Sequence, residues 1–167
     1  MQITLQHILF VLFGGLTLGS GLMVVTQRKV FHAALFLILA FFGVAGLYVL
    51  LEAPFLAAAQ LFIYVGGIAV LIIFAVMLVR HLMDPDRPSV TSQWWAAALV
   101  MVALCGVLIW TAVTHDWGAQ AGPVPDETIA ILGMTLVDPH GMVLPFEVAS
   151  VLLIVALVGA VTIARER

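Results

Sequence analysis

The residues of this chain that could take part in chemistry are few, and the densest group lies in one apolar run. Gln60 and Tyr64 are four residues apart and therefore share a face of a helix. Gly66 and Gly67 follow one residue after Tyr64. A glycine pair suits either close packing or a local defect in the helical hydrogen-bond ladder. Two interpretations stay open: a hinge whose polar side chains meet water or a neighbour's charge, or a packed helix.

Two carboxylates, Glu52 and Glu147, lie nearest to the outer ends of the apolar runs. Glu52 belongs to a two-residue gap between runs, where solvation alone accounts for it. Glu147 follows Pro145 at the start of the last run, where the helix dipole and the free N–H groups favour a carboxylate, so helix capping is the simpler interpretation. Either carboxylate is also a candidate for a proton exit path.

Several kinds of site are missing from the sequence. It has no glycine-rich phosphate loop and no cysteine cluster, since Cys105 is the single cysteine. No Lys, Arg, Asp or Glu falls near the centre of an apolar run, whereas a self-sufficient ion carrier places ionisable groups at mid-membrane. We expect no catalytic residue, no metal site and no bound cofactor in this chain, and no proton transport by the chain alone.

The composition is that of a membrane protein. Hydrophobic residues make up 64% of the chain and charged residues 9%, against roughly 45–50% and about 25% in soluble domains. A soluble fold of this size could not bury that much apolar surface. The net charge of −3 and the absence of a basic run exclude nucleic acid as a partner, which leaves lipid and other membrane proteins.

Five apolar runs are long enough to cross a bilayer core of about 30 Å, which takes about 20 helical residues. Glycines indicate helix packing in the first two runs: Gly15 and Gly19 have a small-xxx-small spacing in the first, and Gly43 and Gly46 lie in the second. The sequence therefore predicts an all-α integral membrane protein with a single membrane domain over residues 1–167. The predicted spans are about 3–25, 30–51, 54–78, 94–113 and 143–164.

The positive charges set the predicted orientation. All six Lys and Arg residues fall in the first gap, in the third gap or at the C-terminus. The positive-inside bias then places the N-terminus outside and the C-terminus in the cytoplasm. Residues 114–142 become an outer loop, in which the apolar stretch Thr128–Val137 is too short to span and is expected at the interface or against a neighbouring protein.

Five segments spread along the chain match a known family. Gln60–Phe74 includes the pattern Tyr-x-Gly-x-x-x-Val-Leu at Tyr64–Leu71, and the remaining four are Phe31–Leu35, Glu52–Ala58, the Gly-x-x-Leu of Gly133–Leu136, and Leu144–Ser150. With five spans and this charge distribution, the chain resembles the J subunit of proton-pumping NADH:quinone oxidoreductase, respiratory complex I, whose mitochondrial equivalent is NADH dehydrogenase subunit 6.

The resemblance implies a non-catalytic, multi-pass subunit of the bacterial inner membrane that couples quinone reduction to proton translocation. It implies a position between the quinone-binding region and the pumps. The expected partners are the quinone-site subunit, the small K-type and A-type subunits and the antiporter-like subunits. FMN, iron–sulfur clusters and quinone are expected in partner subunits, with none bound by this chain.

The resemblance also implies a role for the third span. In that family the third helix switches between α-helical and π-bulged forms around the tyrosine and glycines, and so opens or closes a water path to a neighbour's carboxylate. The role carries over to Tyr64, Gly66 and Gly67. Some relatives have Glu where this chain has Gln60, and because Gln does not titrate, a relay here must use hydrogen bonds. The family favours Ala where this chain has Gly67.

Two alternatives remain. A related complex could take electrons from ferredoxin or a deazaflavin, because nothing in five apolar helices contacts the electron donor. The second alternative is a stand-alone transporter built as a homo-oligomer. The lack of central charges and of an inverted-repeat pattern argues against this alternative.

Overall fold

The computed structural model describes residues 5–79, 93–116, 118 and 127–165, and all regular structure in them is helical. Five helices are long and apolar enough to cross a membrane, and one further apolar helix is shorter. The predicted all-α fold with five spans is confirmed. In chain order the helices are α1 Leu5–Thr26, α2 Val30–Leu50, α3 Pro54–Leu78, α4 Trp94–Thr114, α5 Thr128–Val137 and α6 Val143–Ala164.

The chain divides into two units, Met1–Gln120 with α1 to α4 and Ala121–Arg167 with α5 and α6. The expected single domain and the orientation of the termini stay predictions. Residues 3 and 4 of the first predicted span, the charges Arg80, Arg87 and Arg167, and much of the predicted outer loop 114–142 lie outside the described residues.

In the first unit, α1 and α2 form an antiparallel hairpin with its closest approach at two glycines of α2. A Cβ at Gly43 would collide with the Thr17 hydroxyl and lie 3.1 Å from the Thr17 backbone nitrogen. A Cβ at Gly46 would collide with the ring of Phe13. Packing therefore explains the α2 glycines as predicted. It does not explain those of α1, because a Cβ at Gly15 or Gly19 would meet no atom within 4 Å in the described part of the chain.

The turn between α2 and α3 is a Schellman motif with an unusual residue in it. Glu52 has φ 55°, in the left-handed region where Gly is the usual residue. Its N–H donates to the Val49 carbonyl at 3.1 Å, and the Ala53 N–H donates to the Tyr48 carbonyl at 3.0 Å. These two bonds satisfy carbonyls at the end of α2, and Pro54 then begins α3 at a position where its missing N–H costs nothing.

In the second unit, a tight turn joins α5 to α6. The Met142 N–H donates to the Thr135 carbonyl at 2.9 Å, and a Cβ at Gly141 would lie 2.6 Å from the same oxygen, so this position requires Gly. Asp138 accepts the His140 N–H at 3.0 Å. Neither α4 nor α6 contains a buried residue in the described part of the chain.

Candidate functional site: a π-helical segment in the third span

The third span is not α-helical throughout. The nine residues Gln60–Ile68 form a π-helix, which we call the π segment, between α-helical turns at Pro54–Ala59 and Ala69–Leu78. At its end the Ala69 N–H donates to the carbonyl of Tyr64, five residues back. π-Helical turns are rare in proteins and occur frequently at functional sites.

The glycine pair lies inside this segment, and close packing does not account for it. Both glycines are exposed. A Cβ at Gly66 would meet only the Leu61 carbonyl oxygen, at 3.4 Å, and one at Gly67 only that of Phe62, at 3.9 Å. Those carbonyls belong to the same helix, five residues earlier. The structure therefore supports the ladder-defect interpretation of Gly66 and Gly67 within the part of the chain described.

Burial along α3 shows what the π segment does for packing. Gln60 begins the π segment and Ala69 follows its end, and they are only 7% and 1% exposed. Helix α2 packs against the π segment and also against the α-helical part of α3 that follows it. The nine residues of the segment make about two turns at roughly 4.4 residues per turn in a π-helix, but about two and a half turns at about 3.6 in an α-helix. Gln60 and Ala69 therefore share a face in the π form and would lie on opposite faces of a straight α-helix.

Two polar side chains of the segment meet the same residue of α2. The Gln60 side-chain N–H donates to the Phe41 carbonyl at 3.5 Å. The Tyr64 ring packs edge-on against the Phe41 ring, with centroids 5.4 Å apart and planes at 68°. Tyr64 is 43% exposed, and its hydroxyl has no hydrogen-bond partner among the described residues. In a membrane, that hydroxyl needs water or another polar group as its partner.

The remaining predicted residues lie elsewhere. Glu52 is exposed in the turn before α3, and Glu147 is exposed in the second unit. The capping interpretation of Glu147 is wrong: α6 begins at Val143, so Glu147 lies beyond the first turn, and no side chain caps this helix. The structure thus brings together Gln60, Tyr64 and the glycine pair on one segment and adds neither carboxylate to them.

Phe41 is the residue of this site that the sequence analysis missed. It lies in an apolar run among other aromatic and aliphatic residues, with no polar group to single it out. One signal was available: Phe41 and Tyr64 are almost equally far along the chain from the turn at Glu52 and Ala53. Residues equidistant from a tight turn face each other at the same depth when the two helices are antiparallel.

The described residues contain no group of three or more His, Cys, Asp or Glu side chains that could hold a metal ion. Cys105 is exposed on α4. What the site offers is a backbone with an alternative hydrogen-bond register, one amide side chain and one phenol. The amide and the phenol can both donate and accept hydrogen bonds.

Five apolar helices define the class of the protein: it is a multi-pass helical membrane protein whose third span contains a π segment. Comparison with known families gives the particular family. A family model described as NADH-ubiquinone/plastoquinone oxidoreductase chain 6 matches residues 20–163. The chain belongs to that family, and the resemblance noted in the sequence is confirmed.

Individual relatives agree. The chain is similar to NAD(P)H-quinone oxidoreductase chain 6 of Synechocystis sp., with 35% identity over 96% of this chain and 81% of the relative. It is 42% identical to the chloroplastic subunit 6 of NAD(P)H-quinone oxidoreductase from Staurastrum punctulatum, over 95% and 90% of the two chains. It is 37% identical to NADH-quinone oxidoreductase subunit J of Rhodobacter capsulatus, over 91% and 78%.

Proposed function

We propose that this chain is a non-catalytic subunit of a proton-translocating NAD(P)H-quinone or NADH-quinone oxidoreductase in the bacterial inner membrane. Its family, its relatives' names and its five apolar helices support this role. FMN, iron–sulfur clusters and quinone belong to partner subunits in this proposal. The N-terminus lies outside and the C-terminus in the cytoplasm.

In this proposal α3 gates a water path to a neighbouring subunit. The observation that supports it best is the π segment, which includes Tyr64, 43% exposed and with no hydrogen-bond partner for its hydroxyl among the described residues. Quinone reduction elsewhere in the complex biases α3 between a π and an α register. The change of register rotates one part of α3 against the other, and so moves Tyr64 toward or away from the neighbour's carboxylate. Gln60 takes part through hydrogen bonds alone.

The two outer carboxylates are secondary candidates for residues of a proton path. Glu52 and Glu147 are both exposed and are candidates for the exit end of a proton path. The unusual backbone conformation at Glu52 favours it over Glu147, because Glu stands at a position where Gly would be less strained.

Substitution of the glycine pair tests the gate. In Gly66→Val the branched side chain would crowd the Leu61 carbonyl, which is 3.4 Å from a Cβ at this position in the π form. We expect assembly to persist while quinone-linked turnover and proton pumping fall together, and we expect a smaller loss in Gly67→Val, where the nearest carbonyl is 3.9 Å away. The readouts are quinone-dependent NADH oxidation and acidification in the same membrane vesicles.

Gly106→Val on α4 is the matched control, because Gly106 also lies within an apolar span and a Cβ there meets no described atom within 4 Å. It should keep both activities. Normal pumping by Gly66→Val would show that α3 is not a gate. A loss in Gly106→Val equal to that in Gly66→Val would show that any added bulk is harmful, and would remove the support for a register effect.

Purification of the chain through a C-terminal tag, from gently solubilised membranes, tests the partners. Recovery with flavin and iron–sulfur subunits, the quinone-site subunit, the K-type and A-type subunits and the antiporter-like subunits supports the proposal and identifies the electron donor. Recovery with a ferredoxin-fed or deazaflavin-fed module would replace the donor and keep the membrane role. Recovery of the chain alone or with its own copies would favour the homo-oligomeric transporter.

A further inference from the structure

We propose that Phe41 of α2 selects the register of α3, by holding Gln60 through its backbone carbonyl and Tyr64 through its ring. Phe41 is thus a positioning residue of the gate. This inference rests on the proposed function in one respect, since it takes the π register as one of two that α3 adopts.

The argument begins with two contacts made by one residue. The Gln60 side chain, 7% exposed at the first position of the π segment, donates to the Phe41 carbonyl at 3.5 Å. Tyr64, four residues further along the segment, meets the Phe41 ring edge-on at 5.4 Å. Because Phe41 belongs to another helix, both contacts act from a fixed point outside α3.

These contacts fix the angle between Gln60 and Tyr64 around the axis of α3. Four residues are more than one turn of an α-helix, which has about 3.6 residues per turn, and less than one turn of a π-helix, which has roughly 4.4. The angle between the two side chains therefore differs between the registers, whichever end of α3 moves. A residue that contacts both side chains at once favours the register in which the angle fits.

The free-energy cost of breaking the two contacts with Phe41 also indicates that Phe41 selects the register. If Gln60 turned away from α2, its amide would lose its acceptor in apolar surroundings, and an unpaired buried amide is unfavourable. If Tyr64 turned instead, the two aromatic rings would separate. Since the π-helix is intrinsically the rarer form, contacts from outside α3 are needed to hold it.

The test is cryo-electron microscopy of the assembled complex, with particles sorted by the register of residues 60–68, and quinone-linked turnover measured on the same preparations. Phe41→Ala removes the ring contact and leaves the backbone carbonyl. Gln60→Leu removes the hydrogen bond and keeps the side-chain bulk. Phe42→Ala is the matched control, because Phe42 is 49% exposed and makes no ring contact in the described part of the chain. If Phe41→Ala does not assemble, Phe41→Leu takes its place.

We expect the ratio of α to π particles to rise roughly two- to tenfold in Phe41→Ala and by a similar factor in Gln60→Leu, with wild-type populations in Phe42→Ala. Unchanged populations in both test variants would overturn the inference, whatever happens to turnover. A changed register with normal turnover would support the selection by Phe41 and contradict the gate. The two claims can therefore fail separately.

Discussion

The ring and the hydroxyl of Tyr64 have different surroundings. Its ring has a partner in Phe41, at 5.4 Å, whereas its hydroxyl has none among the described residues. The ring therefore packs against α2, and the hydroxyl is left to bind water or another polar group. Gln60 is the opposite case, since it is buried and its amide is hydrogen-bonded to α2.

Replacement of Tyr64 by Phe separates these two roles. In Tyr64→Phe the ring contact with Phe41 is kept, so we expect the complex to assemble and the π segment to remain. Loss of the hydroxyl should lower pumping and quinone-linked turnover by about tenfold, the effect of removing one hydrogen bond worth about 1.4 kcal/mol. Unaltered activity in both assays would show that the hydroxyl is not on the water path.

Glu52 gives a prediction about stability. A non-glycine residue in the left-handed region costs roughly 1–2 kcal/mol, and the greater freedom of Gly in the unfolded chain offsets about 0.4–1 kcal/mol of the gain from replacing it. Glu52→Gly should therefore raise the free energy of unfolding by about 0.5–1 kcal/mol, measured by denaturant titration in bilayers. Glu52→Ala keeps the strain and is the control. A less stable Glu52→Gly protein would refute the strain at this turn.

Pumping assays on the same variants address the other role of Glu52. A residue on the proton path would lower pumping in Glu52→Gly, Glu52→Ala and Glu52→Gln alike, because each removes the carboxylate. Normal pumping in all three would leave Glu52 as a solvated turn residue.

At the scale of elements, α2 is the helix on which the first unit is organised. It packs against α1 through Gly43 and Gly46 on one side and against α3 on another. The two glycines differ in what a methyl group would meet. At Gly43 the obstacle includes the Thr17 backbone, which cannot rotate away, and at Gly46 it is the Phe13 ring, which can.

Gly43→Ala should therefore be the more damaging of the two alanine variants. Overpacking in a well-packed seam costs roughly 1–3 kcal/mol, and we expect Gly43→Ala to lie in this range and Gly46→Ala below it. Thermal inactivation of the complex in its native membrane gives the ranking. Gly15→Ala on α1 is a control that should change little, since a Cβ there meets no described atom. Equal stability of Gly43→Ala and Gly15→Ala would contradict the packing described.

The helices also show how much of the fold can be predicted from the sequence. Spans such as Val143–Ala164 follow from hydropathy and length, which are local properties. The extent of the π segment was not predictable, because it depends on which side chains α2 buries. In a helix that is apolar on every face, a shift of register leaves no mark in the hydrophobic pattern. Only the glycine pair and the resemblance indicated where the defect would lie.

The glycines show the same limit. Gly15 and Gly19 are four residues apart and Gly43 and Gly46 three apart, so both pairs suit close helix packing, yet of these four glycines only the α2 pair is packed against another helix in the described part of the chain. Spacing shows that a close approach is possible, and the partner decides whether it occurs. The left-handed Glu52 was also missed, since Glu is not a residue typical of that conformation.

At the scale of the whole molecule, much of the apolar surface of the described helices is exposed. None of the described residues of α4 and α6 is buried. Within the first unit, α2 and α3 pack together, and Tyr64 stays 43% exposed. Exposed apolar helices of this kind are what we expect of a subunit that works inside a larger membrane complex.

The central claim is that α3 changes register while the complex works, and the most direct measurement is the register of residues 60–68 during turnover. The complex would be frozen with NADH and quinone present, and again at rest with neither, and imaged by cryo-electron microscopy. We predict that the π and α forms have different populations in the two samples, with Tyr64 displaced between them. A single register in both samples, from a preparation shown to pump protons, would contradict the account.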